Sequence, residues 1–415
     1  MLSRPRRTEI AIVAWGALTF AALLASFSAF RPVRDALVLD GNPDDIPWLF
    51  TMTFVAVAIA SPAWSAVLAR RPKRRVVPIA FHVFAACALV FAYLVYEAID
   101  PRTVGRVFYV WASVFNLFVV SVFWSLLADL LGPATARRLY GPIAAGGTVG
   151  AFVGPLLTKL LIAHVTVAGI LVMSAVLLEL AVIGAWRVRL AGELLEPELA
   201  LPDPPAPSGA LTGLREVARS PYLAAIVGYV LCTACAATFM YLEQAGIVHA
   251  GLSGRQARAE FFASIELWTA AATLLVQLVV AGPLITWLGP GLVLLVLPIA
   301  QAVGITALAV APSLTVLAVA MTVSRTATHG LTRPARELLF TVVDRDSKYH
   351  AKNAIDTVAY RLGDFGSSWL HTGLVALGAG SAAVVVASVP LVLVWVTLAT
   401  VLGAGFRRRA KETIS

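Results

Sequence analysis

The chain has 415 residues, of which 59% are apolar and 13% charged, with a formal net charge of +9 and three cysteines. Apolar runs of about 20 residues recur, the length needed to cross ~30 Å of hydrocarbon, so the composition describes a polytopic α-helical membrane protein. The basic excess does not indicate nucleic acid, because Lys and Arg cluster in short loops between apolar runs rather than on one soluble face.

The N-terminal Ser3-Arg4-Pro5-Arg6-Arg7 precedes an apolar run from Ile10 to Phe30, which is too long for a signal-peptide core and reads as an uncleaved first span. Further spans are predicted at 47–69, 76–96, 106–131, 142–164, 166–187, 222–242, 258–281, 288–310, 312–331, 352–378 and 381–405, twelve in all. Alternate loops should be rich in Lys and Arg. The basic residues at 4–7, 70–75, 137–138, 187–219, 333–348 and 407–411 do fall on one side. Arg102, Arg106, Arg255 and Arg258 are the exceptions, with Arg31 and Arg34 within or near the membrane. Both termini are therefore expected in the cytoplasm, and a bacterial inner membrane is the expected location.

Cys87, Cys232 and Cys235 lie in apolar segments. Cys232-x-x-Cys235 has no βαβ context and reads as small packing residues rather than a redox or metal motif. The run Gly146-Gly147-Thr148-Val149-Gly150, with Gly154 one turn on, lies inside the fifth span and reads as a face for close helix packing, not a phosphate cradle.

Residues 191–221 contain acidic residues and the run Leu201-Pro202-Asp203-Pro204-Pro205-Ala206-Pro207, a linker composition. The chain divides there into halves at 1–190 and 222–415. Ala128-Asp129-Leu130-Leu131 before Arg137-Arg138-Leu139-Tyr140 is weakly repeated as Arg336-Glu337-Leu338-Leu339 before Lys348-Tyr349. Two six-helix halves with a long cytoplasmic connection resemble the major facilitator superfamily, whose halves rock about a midplane cavity. Its basic, glycine-rich loop after the second span is only partly matched by Arg70 to Arg75.

Charge inside the spans carries the functional signal, since an ionised side chain facing lipid at mid-bilayer costs about 2.5–3.5 kcal/mol on insertion scales. The first span continues into Phe30-Arg31-Pro32-Val33-Arg34-Asp35, where Arg31, Arg34 and Asp35 share about 100° of helix surface. Two readings stand: an Arg31–Asp35 pair at the outer mouth, or a binding or gating element facing a cavity. Glu266, with Thr273 and Gln277, forms a polar stripe on the eighth span, and Arg325, with Thr322 and His329, forms one on the tenth. Interhelical structural pairs are the competing reading for both. Lys159 reads as snorkelling from the fifth span. Tyr241 and Glu243 end the seventh span where Arg31 to Asp35 end the first, which suits a gate of acid against base.

Charge is densest between Arg333 and Asp364, where eleven charged residues fall within 32 positions. Beyond Lys348, the residues Lys352, Asp356, Tyr360, Gly363 and Ser367 lie within a sector of about 80°, a polar stripe leading into the eleventh span.

Several of these stretches resemble the ATP/ADP translocase family of plastids and intracellular bacteria, distant relatives of the major facilitators. The motifs are Arg336-Glu337-Leu338-Leu339-Phe340 through Lys348, Lys352, Ala354-Ile355-Asp356 and Arg361-Leu362-Gly363, together with Arg31 to Leu39 and Trp268-Thr269. The resemblance implies that Arg34 stands at a basic residue linked to transport, Glu266 near the eighth-span acid, and Lys348 or Lys352 at the late lysine. Arg34 replaces that family's Lys, and the fifth span has no acidic residue.

The leading expectation is an alternating-access carrier of an anionic, phosphorylated, nucleotide-like metabolite, with Arg31, Arg34, Lys352 and Arg325 neutralising it. The rivals are a proton-coupled exporter of an amphipathic compound, with Asp35, Glu266 or Asp356 carrying the proton, and a non-transporting membrane receptor or assembly factor. No nucleophile–base pair or metal-spaced cluster points to an enzyme. No cofactor and no nucleic-acid partner are expected. The partners are the lipid bilayer and the small-molecule anion, and the oligomeric state is open, a monomer sufficing for such a carrier.

Overall fold

The computed structural model describes residues 7–70, 73–195, 210–344, 351–352, 355–376 and 381–414, and these are helical apart from short connections. The helices are α1 (Arg7–Val38), α2 (Ile46–Arg70), α3 (Lys73–Tyr96), α4 (Pro101–Leu130), α5 (Pro133–Leu161), α6 (Val167–Leu195), α7 (Ala210–Arg219), α8 (Pro221–Gly251), α9 (Arg255–Leu275), α10 (Ala281–Val293), α11 (Val296–Val310), α12 (Leu314–Thr326), α13 (Arg333–Leu339), α14 (Tyr360–Ala376) and α15 (Ser381–Ile414). Among the described residues, nine helical stretches are long and apolar enough to cross a membrane. The shorter α11, the stretch from α12 to α13 and the stretch ending in α14 supply helical counterparts for the other three predicted spans.

The boundaries differ from the sequence reading in places with a physical cause. The loop expected between 281 and 288 is helix: α9 passes through the π turn Val276–Val280 into α10, and the chain kinks only at Gly289, whose φ of +74° favours glycine. The tenth span likewise does not stop at 331 but passes through the π turn Ala327–Thr332 into α13, so Arg336-Glu337-Leu338-Leu339 is helical. Both of these π turns lie just before a proline, Pro283 or Pro334, that has no N–H to offer the carbonyl four residues back. The wider turn lets the helix continue past that missing donor. The fifth and sixth spans extend to Pro133 and Leu195, and α7 forms within the expected linker, whose proline-rich run 201–207 lies outside the described residues.

The chain forms two compact units, the first comprising Met1–Asn42, Val55–Pro205 and Ser253–Leu267, the second Pro43–Phe54, Ala206–Leu252 and Trp268–Ser415. In the first, α1 is the central helix, packed by α4, α5 and α6. Gly146, Gly150 and Gly154 lie against the backbone of α1, where a Cβ would overlap the carbonyls of Ala17, Ala21 and Ala25 in turn. Spacing of four on both helices makes this a continuous close-packed seam. Hydroxyls tie α1 to both neighbours: Thr158 of α5 donates to the Ala29 carbonyl at 3.0 Å, and Ser26 of α1 donates to the Ser174 carbonyl of α6 at 2.9 Å. Aromatic rings fill the other side of α1, with Phe30 and Phe115 centroids 5.2 Å apart and Phe84 and Phe115 centroids 4.9 Å apart.

In the second unit α8 is the organising helix. Its Tyr222 and Tyr229 hydroxyls donate to the Leu339 and Leu294 carbonyls at 3.1 and 2.8 Å, and Gln301 of α11 donates to its Ala236 carbonyl at 2.8 Å. Each of these bonds lets a buried polar group cross between helices without an unpaired atom. The Cα atoms of Gly291 and Gly403 face one another so closely that neither position has room for a Cβ.

Candidate functional site

The candidate site of the first unit is built where the last third of α1 meets the first half of α9. On α9, Arg255, Arg258 and Glu266 lie within about 80° of one another, so one helix face carries all three. Against it, Arg31 Nη1 lies 3.2 Å from Glu266 Oε2. Nine residues further along the chain, Asp40 Oδ2 accepts from Arg255 Nε at 2.6 Å. Arg258, buried, lies 3.8 Å from Asp40 and donates to the Leu39 carbonyl at 2.6 Å. Thus Arg255 and Arg258, which stood as exceptions to the loop-charge rule, are held by the carboxylate and carbonyl at the end of α1. Gln256 donates to the Ile162 carbonyl, and Lys159 pairs with Glu260 at 2.6 Å rather than simply reaching for water.

Within α1 the pairing differs from the simplest spacing argument. Arg34 donates through both Nε and Nη2 to Asp35 Oδ1, at 2.9 and 2.6 Å, and its guanidinium carbon sits 4.9 Å from the ring centroid of Tyr109 on α4. The Asp35 side chain is only 3% exposed, so Arg34 balances a carboxylate that has left water. Arg31 is the more open base at 29% exposure, against 12% for Arg34. Five bases, Arg31, Arg34, Lys159, Arg255 and Arg258, stand against four acids, Asp35, Asp40, Glu260 and Glu266, leaving one positive charge in excess.

The other predicted residues lie in the second unit. Tyr241 meets Phe50 edge to face at 5.8 Å, and Glu243 Oε1 lies 3.3 Å from His371 Nε2. Glu243 and His371 line a cavity of about 700 Å³, otherwise mostly apolar, among α8, α11, α12 and α14, with Asp44 at its edge. Arg325 is half-buried on α12, and the backbone carbonyl of His329 accepts from Gln277 at 3.1 Å. Lys352 Nζ is 2.6 Å from Glu337, an exposed pair. Asp356 lies in the π turn Ile355–Ala359, and Lys348 lies outside the described residues. Of the predicted stripe on the eleventh span, Gly363 and Ser367 are buried, with Gly363 packed against Ala234.

Sequence reasoning missed the buried Asp364 of α14. It accepts from Thr238 at 3.3 Å and lies 3.6 Å from Arg361. Asp364 stood out in the sequence as one of the dense charges after Arg333, and its i, i+3 spacing from Arg361 was the more specific signal. The acids of the short segment 40–45 could have been matched to Arg255 and Arg258 by charge alone. Among the described residues, no three His, Cys, Asp or Glu side chains come together as a metal site.

The profile of the Major Facilitator Superfamily matches residues 10–344. The chain belongs to that superfamily. Structures of major facilitator carriers resemble it over nearly the full length. A mutant of the nucleoside transporter NupG aligns with a TM-score of 0.62 at 14% identity, covering 97% of this chain and 100% of that one. A bacterial homologue of the iron transporter ferroportin, inward-facing, aligns at 0.61 and 13% identity, covering 98% and 99%. A bacterial homologue of the human lysosomal transporter Spinster aligns at 0.53 and 14%, covering 98% of each. At these identities the likeness is one of fold. No curated protein matches the chain in sequence. Major facilitators carry small molecules across a lipid bilayer, so this protein is a multi-pass, non-enzymatic carrier.

Proposed function

We propose that the protein is an alternating-access carrier of an anionic, phosphorylated metabolite of nucleotide-like size, resident in a bacterial inner membrane with both termini cytoplasmic. The observation that carries this reading is Arg31, a partly exposed guanidinium held by a single carboxylate contact of 3.2 Å to Glu266. A guanidinium offers five N–H donors in a fork that matches phosphate, so a phosphoryl group would compete with Glu266 for this cation. Arg34 supports the site electrostatically through Asp35 and Tyr109. Lys352 and Arg325, and Lys348 outside the described residues, are the further cations of the proposal. One structural relative is a nucleoside transporter, and a nucleoside has the base and sugar of a nucleotide without its phosphate.

Proteoliposomes loaded with nucleotides or sugar phosphates test the reading: counterflow of a phosphorylated substrate should appear without an imposed proton gradient. Flux only under such a gradient, and only for an uncharged or cationic compound, would favour a proton-coupled exporter instead. The mostly apolar cavity with its Glu243–His371 pair is the observation that would then take precedence. A complete lack of flux would favour a receptor or assembly factor.

A further inference from the structure

A histidine–glutamate pair lies exposed on the apolar outside of α3 and α6. His82 Nδ1 is 2.9 Å from Glu179 Oε1, and the two side chains are 55% and 46% exposed. Around them the exposed surface is apolar: Ile79, Val83 and Val90 on α3, Val176, Leu180 and Ile183 on α6. His82 is seven residues beyond Arg75, and Glu179 is eight before Arg187, which puts both about 10–12 Å inside the apolar length of their helices at 1.5 Å per residue. A polar pair open to hydrocarbon at that depth is costly, because lipid offers no donor or acceptor to the bonding positions left over.

Those leftover positions define the partner. With protons on both ring nitrogens the histidine gives one N–H to Glu179 and has a second to give, while Glu179 has a second oxygen to accept another. The occupant must therefore present one acceptor and one donor at the same depth and spacing. A second copy of this surface does so: a two-fold axis along the bilayer normal brings His82 of each copy to Glu179 of the other, because two residues in contact lie at equal depth. Ala86, exposed one turn beyond His82, leaves room for close approach of the helices, and a shallow groove of about 400 Å³ bounded by Leu89, Tyr93, Tyr96 and Gly169 continues the face toward the other end of α3.

We propose that the α3–α6 face is a homodimer interface closed by two crossed His82–Glu179 pairs. This is independent of the transported substrate. Full-length chains labelled separately with donor and acceptor dyes and diluted in phospholipid vesicles should show energy transfer that falls with dilution, as a reversible dimer requires. His82→Ala and Glu179→Gln should each weaken association about tenfold. Mixing His82→Ala chains with Glu179→Ala chains should restore part of it, since one crossed pair survives only in the mixed dimer. Ala86→Trp keeps the His82–Glu179 contact and blocks approach, so it should abolish transfer while leaving the melting temperature unchanged. Absence of transfer at every dilution would overturn the proposal, as would transfer unaffected by all of these variants. Monomers holding a phospholipid that His82→Ala releases, read by native mass spectrometry, would also overturn it and assign the face to lipid.

Discussion

Glu266 is the counter-ion of Arg31, joined to it at 3.2 Å across 235 residues of sequence. Under the proposed function that pair makes binding competitive: an anion reaching Arg31 would have to displace a carboxylate the protein itself supplies. Arg31→Ala should lower kcat/KM for a phosphorylated substrate by about 10- to 150-fold, the equivalent of ~1.5–3 kcal/mol for a hydrogen bond to a charged group. Glu266→Gln should instead tighten anion binding, seen as a lower half-saturation concentration. Unchanged uptake in Arg31→Ala would remove this residue from the binding site.

Arg34 should behave differently, because its fork is engaged by the nearly inaccessible Asp35. Arg34→Ala removes a cation from that buried carboxylate and should cost up to about 3–5 kcal/mol of stability. A lowered melting temperature and yield would report it. The double variant Arg34→Ala with Asp35→Ala should regain much of the loss, since the two residues are coupled. A single variant that folds normally yet transports nothing would assign Arg34 to the substrate instead.

Lys352 separates function from stability in the opposite sense. Its pair with Glu337 is exposed on both sides and worth about 0–1 kcal/mol. Lys352→Ala should leave the thermal unfolding midpoint nearly unchanged while reducing anion uptake. Retention of both properties would show that the lysine only decorates the surface.

The glycine seam between α1 and α5 gives a purely structural expectation. Gly150→Ala should disrupt assembly severely, because the new Cβ meets backbone that cannot rotate away. Gly141→Ala on the same helix meets nothing within 4 Å and should be neutral or stabilising by up to about 1 kcal/mol. Detergent-solubilised yield and thermal unfolding of the two variants make the comparison, and equal behaviour would count against the seam.

The sequence by itself determined the class of protein, a polytopic helical membrane protein, and drew attention to particular charged residues. Apolar run length is set by bilayer thickness, and charge in such runs is rare enough to stand out, so Arg31, Arg34, Asp35 and Glu266 were legible one residue at a time. The spacing Gly146, Gly150 and Gly154 likewise announced a packing face, because helical periodicity is local. Only the tertiary structure decided who pairs with whom. Arg31 with Glu266, Arg255 with Asp40 and Lys159 with Glu260 join residues 101 to 235 positions apart, and no local period encodes such a match. The helix ends at Gly289 and Leu339 also depended on more than apolar pattern, since π turns ahead of Pro283 and Pro334 absorbed the missing donors. His82 and Glu179 show the same division: each is an ordinary polar residue in its own helix, and only the packing of α3 on α6 makes them one exposed pair.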